Sequence, residues 1–486
     1  MIQTSYTNNN NSVNFRVLNE GQIEEIKRAV FYLMEKVGFK VLHKDARKML
    51  QQAGAVVVDE IVKVPEYVTR QCLETVPRGF SIYNREGQLA LEVEGRKSYY
   101  GTSTGSPNTM DALTGEVRPT RVQDIAIAAR IADALPNIDW VMPMGSAQDV
   151  TPIAAELYEF EAVVSNTTKP IVFLSYSPRG FELVYEMAAE VAGGLKNLQE
   201  HPFIMAYPEP ISPFVFPADV VDRIFIAADL FMPQIPGPAP LVGITSPVTL
   251  AGTIAQLTAE SLMCLVLAQI RKPGCPCMLS GNVGIPDMAT GISCEGSPEA
   301  SLGLAAQAEV ARSFGLPTWG LAGATDAKVL DAQAGAESAF SILAQGLAGL
   351  NLIHDVGYMD MAMVCSTAQL VLGNDIIGMV KRFVRGIDVN KDTIAREVIA
   401  AVGPGGNFLQ QEHTLKNFRH ELWRPTVFTR QPYDTWLKKG SRDTNANIID
   451  RIKEIIDNHK VPPLSEKIIS SLETIRQNGE VELKTQ

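Results

Sequence analysis

Tyr100, Tyr176, Tyr207, Trp319 and Tyr358 each end, or closely follow, a short apolar run of the chain, and Glu209, Asn282, Asp326, His354 and Asp355 stand in equivalent positions. Aromatic faces joined to a carboxylate receive a quaternary ammonium, because its charge is spread over methyl groups that donate no strong hydrogen bond. A His354 imidazole, tyrosine hydroxyls or the nearby Arg179 would hold a carboxylate at the other end of such a ligand. Singly, each aromatic is more often core or rim packing, and His354 is as often a satisfied core histidine. Together they point to a methylated cation. The expected substrate-binding set is Tyr100, Tyr176, Tyr207, Glu209, Trp319, Asp326, His354 and Tyr358, with no metal ligand assigned.

The elements that must position them recur. Runs at Ser98–Tyr100, Trp140–Met144, Ile171–Ser175, Phe203–Tyr207, Ala239–Gly243, Pro276–Gly281, Thr318–Leu321 and Asn351–His354 start 31 to 42 residues apart, with helical signals between them. That is the spacing of repeated βα units, and it predicts an α/β fold, a (β/α)8 TIM barrel whose strand ends converge on one cavity. Thr151-Pro152 and Ser297-Pro298 are helix-start signals, and Gly315 with Pro317 is a stop. Residues 1–97 read as an N-terminal α+β cap, with helices near Glu20–Val37 and Pro65–Val76. Residues 98–375 form the barrel, and 376–486 a C-terminal helical extension broken at Gly403–Gly406, an accessory layer or an oligomer contact.

Composition narrows the class. The 486 residues are 46% hydrophobic and 20% charged, enough for a large core. Forty-three basic against 54 acidic residues give a net charge of −11, which disfavours nucleic acid as a partner. Six cysteines among apolar neighbours predict reduced thiols and a cytoplasmic protein. The Asn8–Asn11 run reads as a disordered lead-in with no signal peptide. Val248–Ile270 is interrupted by polar residues and is expected to be a buried helix rather than a membrane span.

Other motifs fail on their own chemistry. Gly101-Thr102-Ser103-Thr104-Gly105 matches a nucleophile elbow, but turn signals follow where a helix is required. His420-Glu421-Leu422-Trp423-Arg424 places Arg where a zinc ligand belongs, and His413 and His420 have no third ligand nearby. Cys275-Pro276-Cys277 lacks metal spacing. Gly403 to Phe408 breaks the dinucleotide pattern, and no Gly-Lys pair exists for a phosphate loop. Lys328 would serve a lyase as a Schiff-base amine, but it falls in a loop without desolvating neighbours.

The run Gly323-Ala324-Thr325-Asp326-Ala327-Lys328 through Asp331 to Gly335 and Glu337, followed by His354-Asp355-Val356-Gly357-Tyr358, resembles the trimethylamine methyltransferase family. So do Asp111, Thr114-Gly115, Arg118-Pro119, and the tail pattern His413-Thr414, Phe418-Arg419, Trp423, Pro425, Arg430, Tyr433 and Trp436. The resemblance implies a TIM barrel that transfers methyl from an amine to the cobalt of a separate corrinoid protein. No pyrrolysine is present, so the chain is similar to the non-pyrrolysine branch. That branch implies a quaternary amine, glycine betaine first, with proline betaine, carnitine and γ-butyrobetaine as alternatives. A quaternary nitrogen already leaves as a neutral amine, so positioning is expected to supply the rate and no catalytic acid or base is assigned. Asp457-Asn458-His459-Lys460-Val461-Pro462 departs from the cobalamin-ligating pattern at its last position. Cob(I)alamin is therefore expected on the partner and not on this chain. A homo-oligomer is compatible with all of this.

Overall fold

The structure, a computed structural model, describes residues 15–485; Asn8–Asn11 lie outside them. It is a mixed α/β fold in which short parallel strands alternate with long helices. Strands Tyr99–Thr102, Ile171–Phe173, Ile204–Ala206, Trp319–Leu321 and Leu352–Val356 carry most of the expected runs. Leu352–Val356 pairs in parallel with both Tyr99–Thr102 and Trp319–Leu321, and Ile204–Ala206 with Ile171–Phe173. Single parallel bridges join Gly101 to Trp140, Val141 to Ile171, Ala206 to Gln234, Gln234 to Cys277 and Leu279 to Thr318. The named strands form five small sheets of two to four strands each.

One run departs from expectation. The residue that bridges Ala206 to Cys277 is Gln234, and Ala239–Gly243 is instead a loop in which the Leu241 carbonyl accepts from the Ile244, Thr245 and Ser246 amides. The physical reason is proline. Pro233, Pro236, Pro238 and Pro240 remove donors along the segment, so only the Gln234 and Ile235 amides remain to reach Pro276 and Ala206.

The helices begin and end where their caps place them. The Ser297 hydroxyl accepts from the Ala300 amide to start Pro298–Ser313, and Gly315 follows in the left-handed region. Helix Leu250–Arg271 is long and apolar enough to cross a membrane, yet 83% of its apolar window is buried inside the protein. It is a core helix, hydrophobic all round because its neighbours surround it.

Two buried layers result. Alternation along each strand sends Tyr99, Trp140, Met142, Val172, Met205, Tyr207, Ile235, Met278, Trp319 and Leu352 to an inner cluster. The hairpin Phe80–Tyr83 and Leu89–Val93 packs Ile82, Leu91 and Val93 on it. Tyr100, Ile353 and Val356 point instead to the helices. The N-terminal strands Phe39–Val41, Ile61–Lys63 and Val56–Val58 share a sheet with Val215–Phe216. A second sheet of Tyr358–Met359, Val364–Ser366, Asn108–Met110 and Val117–Pro119 ties the segment after the first strand to the segment after the last.

The inner layer gives a test of packing. A Cβ at Gly101 would lie 2.3 Å from the Trp140 ring, whose movement Trp319 blocks at a centroid distance of 5.3 Å. Gly101→Ala is expected to cost about 1–3 kcal/mol, from overpacking alone. Gly335→Ala, in a helix with nothing within 4 Å, is expected to be neutral or stabilising. Chemical denaturation of the two variants checks the pair.

Candidate functional site

Trp319 and His354 reach each other because of register. Trp319 pairs with Leu352 and Leu321 with His354, so the inward positions of neighbouring strands lie side by side. The two rings stack at 4.3 Å, and Tyr207, from the segment after Ile204–Ala206, packs on Trp319 at 5.2 Å and on His354 at 6.0 Å. Gly237 opens the space for Tyr207, since a Cβ there would lie 2.7 Å from the phenol and 3.0 Å from Glu209 Cγ. The Asn282 side-chain amide donates to the Tyr207 hydroxyl at 3.1 Å.

Around this stack the polar accounting does not close. Trp319 Nε1, both His354 ring nitrogens, Asn282 Oδ1 and Asp355 Oδ1 are buried without a hydrogen-bond partner. His354 Nδ1 and Asp355 Oδ1 are 2.7 Å apart, but the two residues are covalent neighbours and the groups are not aligned for a hydrogen bond. Native proteins leave few such atoms, and these five lie on or just after three neighbouring strand segments. An indole N–H and an imidazole N–H are donors in search of an acceptor.

Carboxylates supply the opposite need. Burial pushes Glu209 up to about 7, with Arg223 pulling the other way. Burial also pushes Glu295 up to about 7, and the charges of Asp355 and Asp326 add to it. Asp326, raised chiefly by burial, accepts from the Glu295 and Gly296 amides at 2.8 and 3.2 Å. Tyr358 is buried and donates no proton readily, since burial and Asp355 both raise it; its hydroxyl accepts from the Thr104 amide at 3.1 Å. Glu337 fixes the adjoining loop through the Thr325 hydroxyl and the Asp326 amide. Half-buried carboxyls held above their ordinary range are stabilised as anions by a cation.

Of the eight expected residues, Tyr207, Trp319 and His354 share ring contacts, and Glu209, Asp326 and Tyr358 adjoin them. Tyr176 stands apart and exposed, with its hydroxyl 3.2 Å from Ser146 and 3.3 Å from Glu159. Tyr100 is not brought to the cluster: its hydroxyl donates to the Ile342 carbonyl among the helices, and the inward residue is its neighbour Tyr99. Arg179 is committed to Glu482, Glu182 and Glu186 and holds nothing at the strand ends. Glu295 was not expected. It sits in a loop after Cys277–Leu279 with only Ser293 and Asp326 to place it, and no periodic pattern marks it.

The competing motifs are also placed. Ser103 Oγ lies 3.6 Å from the Cys365 thiol, with no imidazole on it. Lys328 is exposed and ion-paired with Asp360 at 3.1 Å. His459 of the cobalamin-like run bonds Asp133 at 2.7 Å. All six cysteines are free thiols. Among the described residues no group of three or more His, Cys, Asp or Glu has metal-binding geometry.

Residues 2–481 match the trimethylamine methyltransferase (MTTB) family profile. Relatives include a trimethylamine methyltransferase of Desulfitobacterium hafniense, 29% identical, covering 95% of this chain and 93% of its own. A glycine betaine methyltransferase of the same species is 28% identical, with 96% and 97% covered. A trimethylamine methyltransferase of Methanosarcina thermophila is 30% identical, with 97% and 100% covered. Among solved structures, the monomethylamine methyltransferase of Methanosarcina barkeri has the same fold, with a TM-score of 0.51 at 13% identity and 95% and 92% of the chains covered.

Proposed function

From the premise that the chain belongs to the trimethylamine methyltransferase (MTTB) family and is a methyltransferase, we propose that it moves a methyl group from a quaternary amine, glycine betaine first, to the cobalt of a separate corrinoid protein. The observation that carries this reading is the buried, unpartnered donors of Trp319 and His354 beside carboxyls short of a cation. Together these needs describe a zwitterion with a permanent positive charge. The trimethylated head lies against Glu209, Glu295 and Asp355 and the Tyr207 ring. The ligand's carboxylate takes the indole and imidazole N–H groups.

The scaffold we propose is a (β/α)8 barrel over 98–375, with an α+β cap at 1–97 and a helical extension at 376–486. The parallel pairings from Tyr99–Thr102 through Gln234 to Leu352–Val356 support it, as does the meeting of Tyr207, Trp319 and His354 from three of its strand segments. The cytoplasm is the compartment proposed, consistent with six reduced thiols.

A reduced corrinoid on its carrier supplies the nucleophile that accepts the methyl carbon. This chain's residues do the rest. They hold the head so that one N-methyl faces outward, exclude water, and let nitrogen keep the bonding pair as a neutral tertiary amine, so no proton moves. Exposed Ile244, Val248, Met288, Ile292 and Val329 on the neighbouring loops offer the carrier an apolar rim. Absorbance spectra of reduced corrinoid protein mixed with this chain and each betaine in turn test the reading. Methyl-cobalt formation with dimethylglycine release from glycine betaine is the expected result; no methyl-cobalt with any quaternary amine would overturn it.

A further inference from the structure

Glu295 stands at the foot of an excursion of the chain from Ile285 to Cys294. The Cys294 amide closes its root on the Ile285 carbonyl at 2.7 Å, and the Asp287 amide donates to Ile292 at 2.8 Å. Beyond that root the segment is bare: Asp287 to Ile292 are all exposed. The Glu295 side chain accepts from the Ser293 hydroxyl, of the same loop, at 3.3 Å. Loops with few buried contacts open at little cost, so a binding group on one is placed only as well as its backbone is held.

Two carboxylates hold that backbone. Asp326, beyond strand Trp319–Leu321, accepts from the Glu295 amide at 2.8 Å through one oxygen and from the Gly296 amide at 3.2 Å through the other. Asp326 is fixed in turn by Glu337 on helix Ala332–Ala348, whose Oε2 accepts from the Thr325 hydroxyl and from the Asp326 amide, while Gln333 donates to Oε1 at 2.9 Å. Glu337 also meets the loop itself: a Cβ at Gly296 would lie 2.4 Å from its carboxyl carbon. A carboxylate suits this task, because its two oxygens take two consecutive N–H groups in charge-assisted bonds. The charged groups facing Glu295 are Asp355 and Asp326, and those facing Asp326 are Glu337 and Lys328. Like charges push these loops apart, and the shared amides offset that push. With both oxygens on backbone amides, Asp326 serves the site by what it holds.

Resting on the reading that this site receives a permanent cation, we infer that Glu337 and Asp326 are positioning residues, which set the Glu295 carboxyl against the ligand's charged head by holding the Glu295–Gly296 backbone. Kinetics and calorimetry of the full chain test it, with glycine betaine or whichever of proline betaine, carnitine and γ-butyrobetaine the wild type demethylates. Glu337→Ala is expected to raise KM about 3- to 30-fold with kcat within about threefold. It should also remove the share of proton release on binding near pH 6 that Glu295→Gln removes. In the Glu295→Gln background the same substitution is expected to change KM less than about twofold, because nothing is left for it to place. Glu337→Gln, whose amide oxygen still accepts from Thr325 and Asp326, should recover most of the loss. Asp326→Asn, which keeps the volume and loses one of the two acceptors, makes the same comparison if circular dichroism finds the alanine variant unfolded. A folded alanine variant with wild-type KM and proton release, or effects of Glu337→Ala and Glu295→Gln that simply add, would overturn the inference and leave the reading of the site standing. A wild type that neither binds nor demethylates any of the four betaines sinks the reading and the inference with it.

Discussion

Trp319→Phe is expected to raise KM for the quaternary amine about 10- to 100-fold, the worth of one hydrogen bond to a charged group, with kcat within about threefold. The substitution keeps an aromatic face toward His354 and Tyr207 and deletes the indole N–H, which is fully buried and, though near the Tyr207 hydroxyl, makes no hydrogen bond of good geometry. If Trp319 only filled the inner layer, Phe would alter stability and leave KM alone. If it binds the ligand's carboxylate, the loss falls on binding, because charge leaves nitrogen and not the carboxylate as the methyl departs. His354→Ala should show the same split, and a double-mutant cycle should show the two effects sharing one ligand group. A kcat loss of tenfold at unchanged KM would count against this assignment. Steady-state methyl transfer over a range of amine concentrations measures both constants.

Register separates what the sequence made legible from what it did not. The βα spacing located seven of the eight expected runs, because each is a short, largely apolar segment recurring at βα intervals. Gln234 escaped because it is polar and sits between prolines, where hydrophobic periodicity carries no signal. Tyr100 shows the second limit. Strand existence was readable, but a slip of one residue exchanges the faces, and only the pairing of Ile353 with Tyr100 decides that Tyr99 points inward. Glu295 shows the third. Its importance comes from Asp326 and Asp355, distant in sequence, raising it together with burial, and no local pattern encodes a meeting of three loops.

Raising the pH from about 6 to about 8 is expected to strengthen quaternary-amine binding by up to tenfold per unit for each carboxyl that must ionise. Glu209 and Glu295 are both pushed to about 7 from an ordinary 4.5, burial being the first cause. The sign follows from linkage. A carboxyl raised in the folded protein holds its proton more tightly than in the unfolded chain, so the stability it contributes is full below about 4.5 and is lost as pH rises through about 7. The free protein should therefore melt lower at pH 8 than at pH 6 on account of these groups. A permanent cation reverses the preference: it binds the ionised pair, lowers both values and releases protons on binding. Calorimetry in two buffers of different ionisation enthalpy should find proton release near pH 6 and little near pH 8. Glu295→Gln should remove part of that release and flatten the pH dependence of affinity, while the ligand, charged at every pH, contributes none of its own. Affinity unchanged across this range would mean that neither carboxyl meets the cation.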